Sequence, residues 1–153
     1  MKHILVNGLR LEYRDIPALE TDKPTLLMLH EGLGCVAMWR DFPQQIAAAT
    51  GCRVIVWSRA GYGHSESYPE ARTPRYMHRE ALEALPALLA VLGIEKPVLL
   101  GHSDGGSIAL IFAAAFPQLP LGIAVMAPHE FVDADTLAGI PAATTDWAAT
   151  DRP

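Results

Sequence analysis

Cysteine is scarce in this 153-residue chain: Cys35 and Cys52 are the only two. They lack C-x-x-C spacing, so a disulfide scaffold and a zinc site are both excluded as organising devices. Charge is also sparse, at 19% of residues with a net charge of −5 and no basic block. A nucleic-acid partner has no electrostatic footprint here. No apolar run approaches the ~18 residues that a membrane-spanning helix needs. The short apolar start, Met1 to Val6, is cut off by Asn7-Gly8. That is too short for the core of a signal peptide and reads as a strand. Internal repeats and low-complexity tracts are missing as well. A single globular domain in the cytoplasm, bound to neither nucleic acid nor membrane, is the resulting expectation.

Apolar residues, by contrast, make up half of the chain, enough for a real core. Ile4–Val6 and Leu9–Tyr13 flank Asn7-Gly8, a strong hairpin signal. Continuous apolar runs at Thr25–His30, Arg53–Trp57, Val98–Leu100 and Leu121–Met126 read as buried strands. Between them lie helical patterns. Trp39, Phe42, Ile46 and Ala47 share one face of a first helix, which Thr50-Gly51 ends. Thr73-Pro74 offers a cap for a second helix that shows Met77, Leu82, Leu85, Leu88, Leu89 and Leu92 and stops at Gly93. Pro86 within it is expected to kink or split it. A third runs to Phe116 before Pro117. The order β-β-β-α-β-α-β-α-β predicts an α/β fold, a mostly parallel sheet with helices on both faces and an N-terminal antiparallel hairpin.

The stretch from Pro97 to Phe116 carries the chemistry. A buried strand breaks at Gly101-His102-Ser103-Asp104-Gly105, and a helix starts at once. A serine between two glycines at such a corner is a nucleophile elbow. The turn is tight enough to strain the serine backbone and raise its hydroxyl. Gly101 and Gly105 avoid the clashes that a Cβ would cause there.

With two further loops, these residues make the chain resemble the α/β-hydrolase fold family from Ile4 to about Asp133. Leu27-Met28-Leu29-His30-Glu31-Gly32-Leu33-Gly34 is similar to the family's His-Gly loop, and Ser58-Arg59-Ala60-Gly61-Tyr62-Gly63-His64-Ser65 to its D-x-R-G-x-G-x-S segment. Glu31 replaces the usual glycine, and Ser58 and Ala60 replace the usual Asp and Arg. The resemblance implies that Ser103 attacks an acyl carbon. It also implies that the N–H groups of Gly32 and Asp104 form an oxyanion hole, with Leu33 an alternative to Gly32. A serine esterase acting on a small-molecule acyl substrate, with no metal or organic cofactor, is the implied activity.

In that architecture the acid and the histidine follow a seventh and an eighth strand, and only six are counted here. The expectation is an incomplete fold, residues 1–128 forming its core and 129–153 the start of a lid or a disordered tail. Low or no activity, and self-association through the bare edge of the last strand, follow from it. His129 alone among the histidines comes after Ser103, leaving the sheet beside the elbow. It is the candidate base, with Glu130, Asp133 or Asp135 available to orient it. His102 and Cys35 are expected to pack, His30 to fix its own loop, and His64 and His78 to lie on the surface. Two other readings stay open: a non-catalytic binding module, and a dinucleotide site. The latter would place Gly32-x-Gly34-x-x-Ala37 on a pyrophosphate and Arg59 on an NADP 2′-phosphate.

Overall fold

The computed structural model describes residues 2–132 and 134–149. Six strands form one sheet: β1 (Lys2–Val6), β2 (Leu9–Ile16), β3 (Thr25–Leu29), β4 (Arg53–Trp57), β5 (Val98–His102) and β6 (Gly122–Met126). Their order is β1-β2-β4-β3-β5-β6. The β1–β2 and β2–β4 pairs are antiparallel, and β4–β3, β3–β5 and β5–β6 are parallel. Asn7 and Gly8 both take positive φ, 49° and 81°, which turns the β1–β2 hairpin in two residues.

The strands alternate their side chains between two cores. Leu27, Leu29, Ile55, Trp57 and Leu99 enter one. Leu26, Met28, Val54 and Val56 enter the other, with Val98 and Leu100 packed against it. This explains the unbroken apolar runs: with both faces covered, no position needs to be polar. Helix α1 (Phe42–Thr50) covers the second core with Ile46 and Ala47. Helices α3 (Leu85–Leu92) and α4 (Asp104–Ala115) cover the first with Leu85, Leu88, Ile108 and Phe112.

Three helix details differ from the sequence expectation. Trp39 is not in α1: it ends a 3₁₀ turn, Val36–Trp39, and Arg40 at φ 52° breaks the path before Phe42. Thr73 starts a turn by accepting the Tyr76 N–H on its carbonyl, so helix α2 (Tyr76–Arg79) begins later than the Thr73-Pro74 cap implied. Between α2 and α3, Glu80–Ala84 winds as a π-helical turn, and the Leu85 N–H reaches back to the Glu80 carbonyl. Pro86 has no N–H to give and crowds the preceding turn, and the wider winding absorbs both faults.

Residues 129–132 leave the sheet, and Ala134–Ala149 forms helix α5 with Pro141 inside it. Among the described residues no helix is long and apolar enough to cross a membrane.

Candidate active site

Ser103 occupies the corner between β5 and α4, half-buried, with φ 52° and ψ −117°. That backbone is costly for any residue with a Cβ, and its surroundings hold it there. A Cβ on Gly105 would lie 2.0 Å from the Leu29 carbonyl oxygen, and one on Gly101 would lie 2.3 Å from the Gly105 oxygen. The corner thus packs backbone on backbone, which only glycine permits. The Ser103 N–H donates to the Met126 carbonyl at 2.8 Å, tying the corner to β6.

β6 delivers the second group. After Met126 the chain turns through Ala127, at φ 48°, and Pro128 to His129. The His129 Nε2 lies 3.0 Å from the Ser103 Oγ. Its backbone is held by one side chain at two points: the Ser107 hydroxyl accepts the His129 N–H at 2.8 Å and donates to the His129 carbonyl at 2.9 Å. Ser107 stands one helical turn after Ser103, so Ser103 and the His129 backbone share an anchor on α4. Among the described residues no carboxylate bonds the other ring nitrogen, Glu130 and Asp135 included. Asp133, the third candidate to orient the ring, lies outside the described residues.

Around Ser103 a solvent-open depression of about 360 Å³ is lined by Glu31, Gly32, Leu33, His102, Asp104, Ala127 and His129. His102 is therefore a wall of this depression as well as a packing residue. Of the loop donors, the Leu33 N–H is taken by the Glu31 carboxylate at 2.7 Å, and the Gly34 N–H by the Glu31 carbonyl at 3.2 Å. The N–H groups of Gly32 and Asp104 have no hydrogen-bond partner among the described residues. The Glu31 carboxylate thus occupies the Leu33 N–H and leaves that of Gly32 unbonded among the described residues.

Beneath the depression lies a buried polar cluster. Asp104 accepts the Tyr76 hydroxyl at 2.7 Å and meets the Arg59 guanidinium at 3.7 Å. Burial and this bond raise the Tyr76 pKa. Arg59, only 1% exposed, donates from its backbone N–H and its Nε to the His30 Nε2 at 3.1 and 3.3 Å. Two donors on Nε2 leave the proton on Nδ1, which therefore donates to the Glu31 carbonyl at 2.6 Å. His30 is neutral for a second reason: burial, then the Arg59 charge, lowers its pKa to about 3. Arg59 is fully enclosed by these contacts, so it cannot serve a 2′-phosphate. A dinucleotide fingerprint opens an α-helix, whereas Ala37 lies in the 3₁₀ turn, so that reading falls on both counts.

The loop after β4 is anchored by a residue that the sequence did not single out. Glu12, buried on β2, accepts the Ser58 hydroxyl at 2.7 Å and the His64 N–H at 3.0 Å. Ser58 replaces the family's Asp, and the carboxylate comes from another strand instead. Cys35 is half-buried, Cys52 is buried and both are free thiols. His64 and His78 are exposed.

A family model described as the alpha/beta hydrolase fold matches residues 24–151. Epoxide hydrolase 4 of Mus musculus is 31% identical over 142 residues, 89% of this chain and 36% of its own length. Serine hydrolase BPHL of Mus musculus is 31% identical over 132 residues, 84% of this chain and 43% of its own. The chain thus spans well under half the length of either. Among solved structures, a carboxylesterase of the thaumarchaeon Nitrososphaera gargenis superposes with a TM-score of 0.77 at 22% identity, covering 98% of this chain and 54% of that one. At that identity the match speaks for the fold alone.

Proposed function

The chain belongs to the α/β-hydrolase family, and from that premise we propose that it is a serine hydrolase in which Ser103 attacks the acyl carbon of an ester or related substrate. The observation that carries this reading is the 3.0 Å approach of the His129 Nε2 to the Ser103 Oγ at a strained strand-to-helix corner. The relatives' names span epoxide and serine hydrolases, so the family alone does not select the bond cleaved. A serine at the elbow does favour acyl chemistry.

In the proposed reaction His129 accepts the hydroxyl proton as the Ser103 Oγ bonds to the carbonyl carbon. The N–H groups of Gly32 and Asp104 hold the resulting oxyanion. Collapse returns the carbonyl and expels the alkoxide, which takes the proton from the His129 imidazolium. Water, deprotonated by His129, then adds to the acyl carbon, the bond to the Ser103 Oγ breaks with return of the proton from His129 to that oxygen, and the acid is released. Among the described residues no carboxylate orients His129, and in a complete triad disabling that carboxylate lowers kcat by about 10⁴. Slow turnover is therefore part of the proposal.

The test is labelling by a fluorophosphonate probe, followed by hydrolysis of p-nitrophenyl acetate. Slow labelling that disappears in Ser103→Ala and in His129→Ala is the expected result. Labelling that depends on Ser103 but survives His129→Ala would assign the base elsewhere. The complete absence of Ser103-dependent labelling would favour the binding-module reading over catalysis.

A further inference from the structure

Arg59 is 1% exposed, as deeply buried as Glu12 and His30, and one of its guanidinium nitrogens, Nη1, has no partner among the described residues. A buried guanidinium with an unmet donor is a costly way to fill space, and an apolar side chain of similar volume would serve packing better. Its remaining contacts indicate what it is for. The Arg59 Nη2 donates to the Glu31 carbonyl at 2.9 Å, the same oxygen that accepts the His30 Nδ1–H at 2.6 Å. That carbonyl also accepts the Gly34 N–H of its own loop at 3.2 Å, so the Arg59 and His30 side chains hold it from the interior in addition to the turn.

We propose that Arg59 is a positioning residue for the oxyanion hole, acting through the Glu31 carbonyl to aim the N–H of Gly32; this rests on the reading of Ser103 as nucleophile. The Glu31 carbonyl and the Gly32 N–H belong to one peptide group. The group is planar, and every peptide bond described is trans. In a trans peptide the N–H points opposite to the C=O. The two side-chain donors that hold the carbonyl toward the interior thereby turn the N–H to the outward side, where Gly32 lines the depression that holds Ser103.

The same guanidinium also faces the other donor's residue. The Asp104 carboxylate lies 3.7 Å from the Arg59 Nη2 and packs against Gly32, where a Cβ would meet its Oδ2 at 3.2 Å. One cation thus spans the loop after β3 and the first residue of α4, the two segments that supply the proposed donors. An oxyanion hole works by donors already in place before charge develops, so a rigid tie between its halves bears on the transition state more than on substrate binding.

The test compares acylation of Ser103 by p-nitrophenyl acetate with acylation by its thiono counterpart, in which C=S replaces C=O. Sulfur is the weaker hydrogen-bond acceptor, so the ratio of the two rates reads the donors and is insensitive to general loss of folded protein. Arg59→Met is expected to cut acylation by the oxygen ester about 10²-fold, to lower the thionoester rate much less, and to leave KM nearly unchanged. An oxygen-to-sulfur ratio equal to that of the unaltered protein would overturn the proposal. Should Arg59→Met fail to fold, Arg59→Lys carries the test. A lysine keeps the charge but lacks the guanidinium's fixed fork toward the Glu31 carbonyl, the His30 nitrogen and the Asp104 carboxylate, so the ratio falls part-way, and an unaltered ratio there overturns the proposal equally. Acylation that survives Ser103→Ala would sink the nucleophile assignment, and the positioning role with it.

Discussion

The centre of the sheet and its β6 side supply one site from opposite physical circumstances. On β3, β4 and β5, Leu27, Ile55 and Leu99 are fully buried, each strand with a neighbour on both sides. On the other side, Leu121 is 58% exposed, Met126 43% and Leu137 of α5 58%. Among the described residues β6 has one strand partner, β5. Ser103 belongs to the first region and His129 to the second. The geometry of Ser103 is over-determined by backbone packing. The imidazole's rests chiefly on the two bonds of a single hydroxyl, Ser107. His129, then, is the part of this site that small perturbations move first.

The same substitution in the two regions gives the largest contrast. Gly105→Ala drives a methyl into the Leu29 backbone, a collision no side-chain movement relieves. Its expected cost exceeds about 4 kcal/mol, among the largest a single substitution produces, and loss of a cooperative urea transition would show it. Gly139→Ala on α5 meets nothing within 4 Å and removes a poor helix former. It is expected to be neutral or to stabilise by up to about 1 kcal/mol. Equal effects in the two variants would erase the distinction between the regions.

The buried side has its own weak point. Glu80, 5% exposed in the π-helical turn, has one carboxylate oxygen with no partner among the described residues. Burial raises its pKa from 4.5 to about 7, with Arg59, Arg72 and Arg79 opposing the rise. The folded state therefore prefers the protonated acid. Stability from this group is full below about pH 4.5 and is lost as pH rises through 7. Glu80→Gln should flatten that decline, leaving the variant more stable than the parent at pH 8.5, by at most about 3 kcal/mol. Parallel stability curves for the two proteins between pH 5 and 9 would contradict this. His30 acts with the opposite sign. Its lowered pKa means that acid destabilises the fold, as pH falls from 6.5 toward about 3.

Ser107→Ala probes the joint between the regions. Two hydrogen bonds are lost, each worth about 1 kcal/mol. Fluorophosphonate labelling should fall more than stability does, because His129 loses its placement while the core stays intact. Unchanged labelling would show that other contacts hold the imidazole.

The smallest effect on folding is expected at the edge. Ile123, 37% exposed on β6, can be replaced by lysine at a cost within about 0.5 kcal/mol. A charge there opposes strand-to-strand pairing between molecules. Sedimentation velocity at high concentration should find the parent chain associating and Ile123→Lys less so. A monodisperse monomer in both would remove the edge as an association surface.

Much of this molecule was legible in contiguous residues. Strands with both faces covered announce themselves as short apolar runs, Asn7-Gly8 sets its hairpin by local backbone preference, and Gly101-x-Ser103-x-Gly105 encodes its corner through sterics between near neighbours. Even the disruption at Pro86 was readable, though not that a π-helical turn would absorb it. Every feature whose cause lies within a few residues could be read along the chain. Tertiary structure alone decided the rest. The His129 imidazole meets Ser103 because β6 pairs with β5. Glu12 substitutes for a missing Asp because β2 pairs with β4. Arg59, which taken alone resembled a phosphate ligand, lies enclosed between His30, Glu31 and Asp104. Each of these contacts joins residues more than twenty positions apart, and charge or polarity read along the chain does not say which buried partner will satisfy it. Only strand order and the packing of α4 on the sheet bring those partners together.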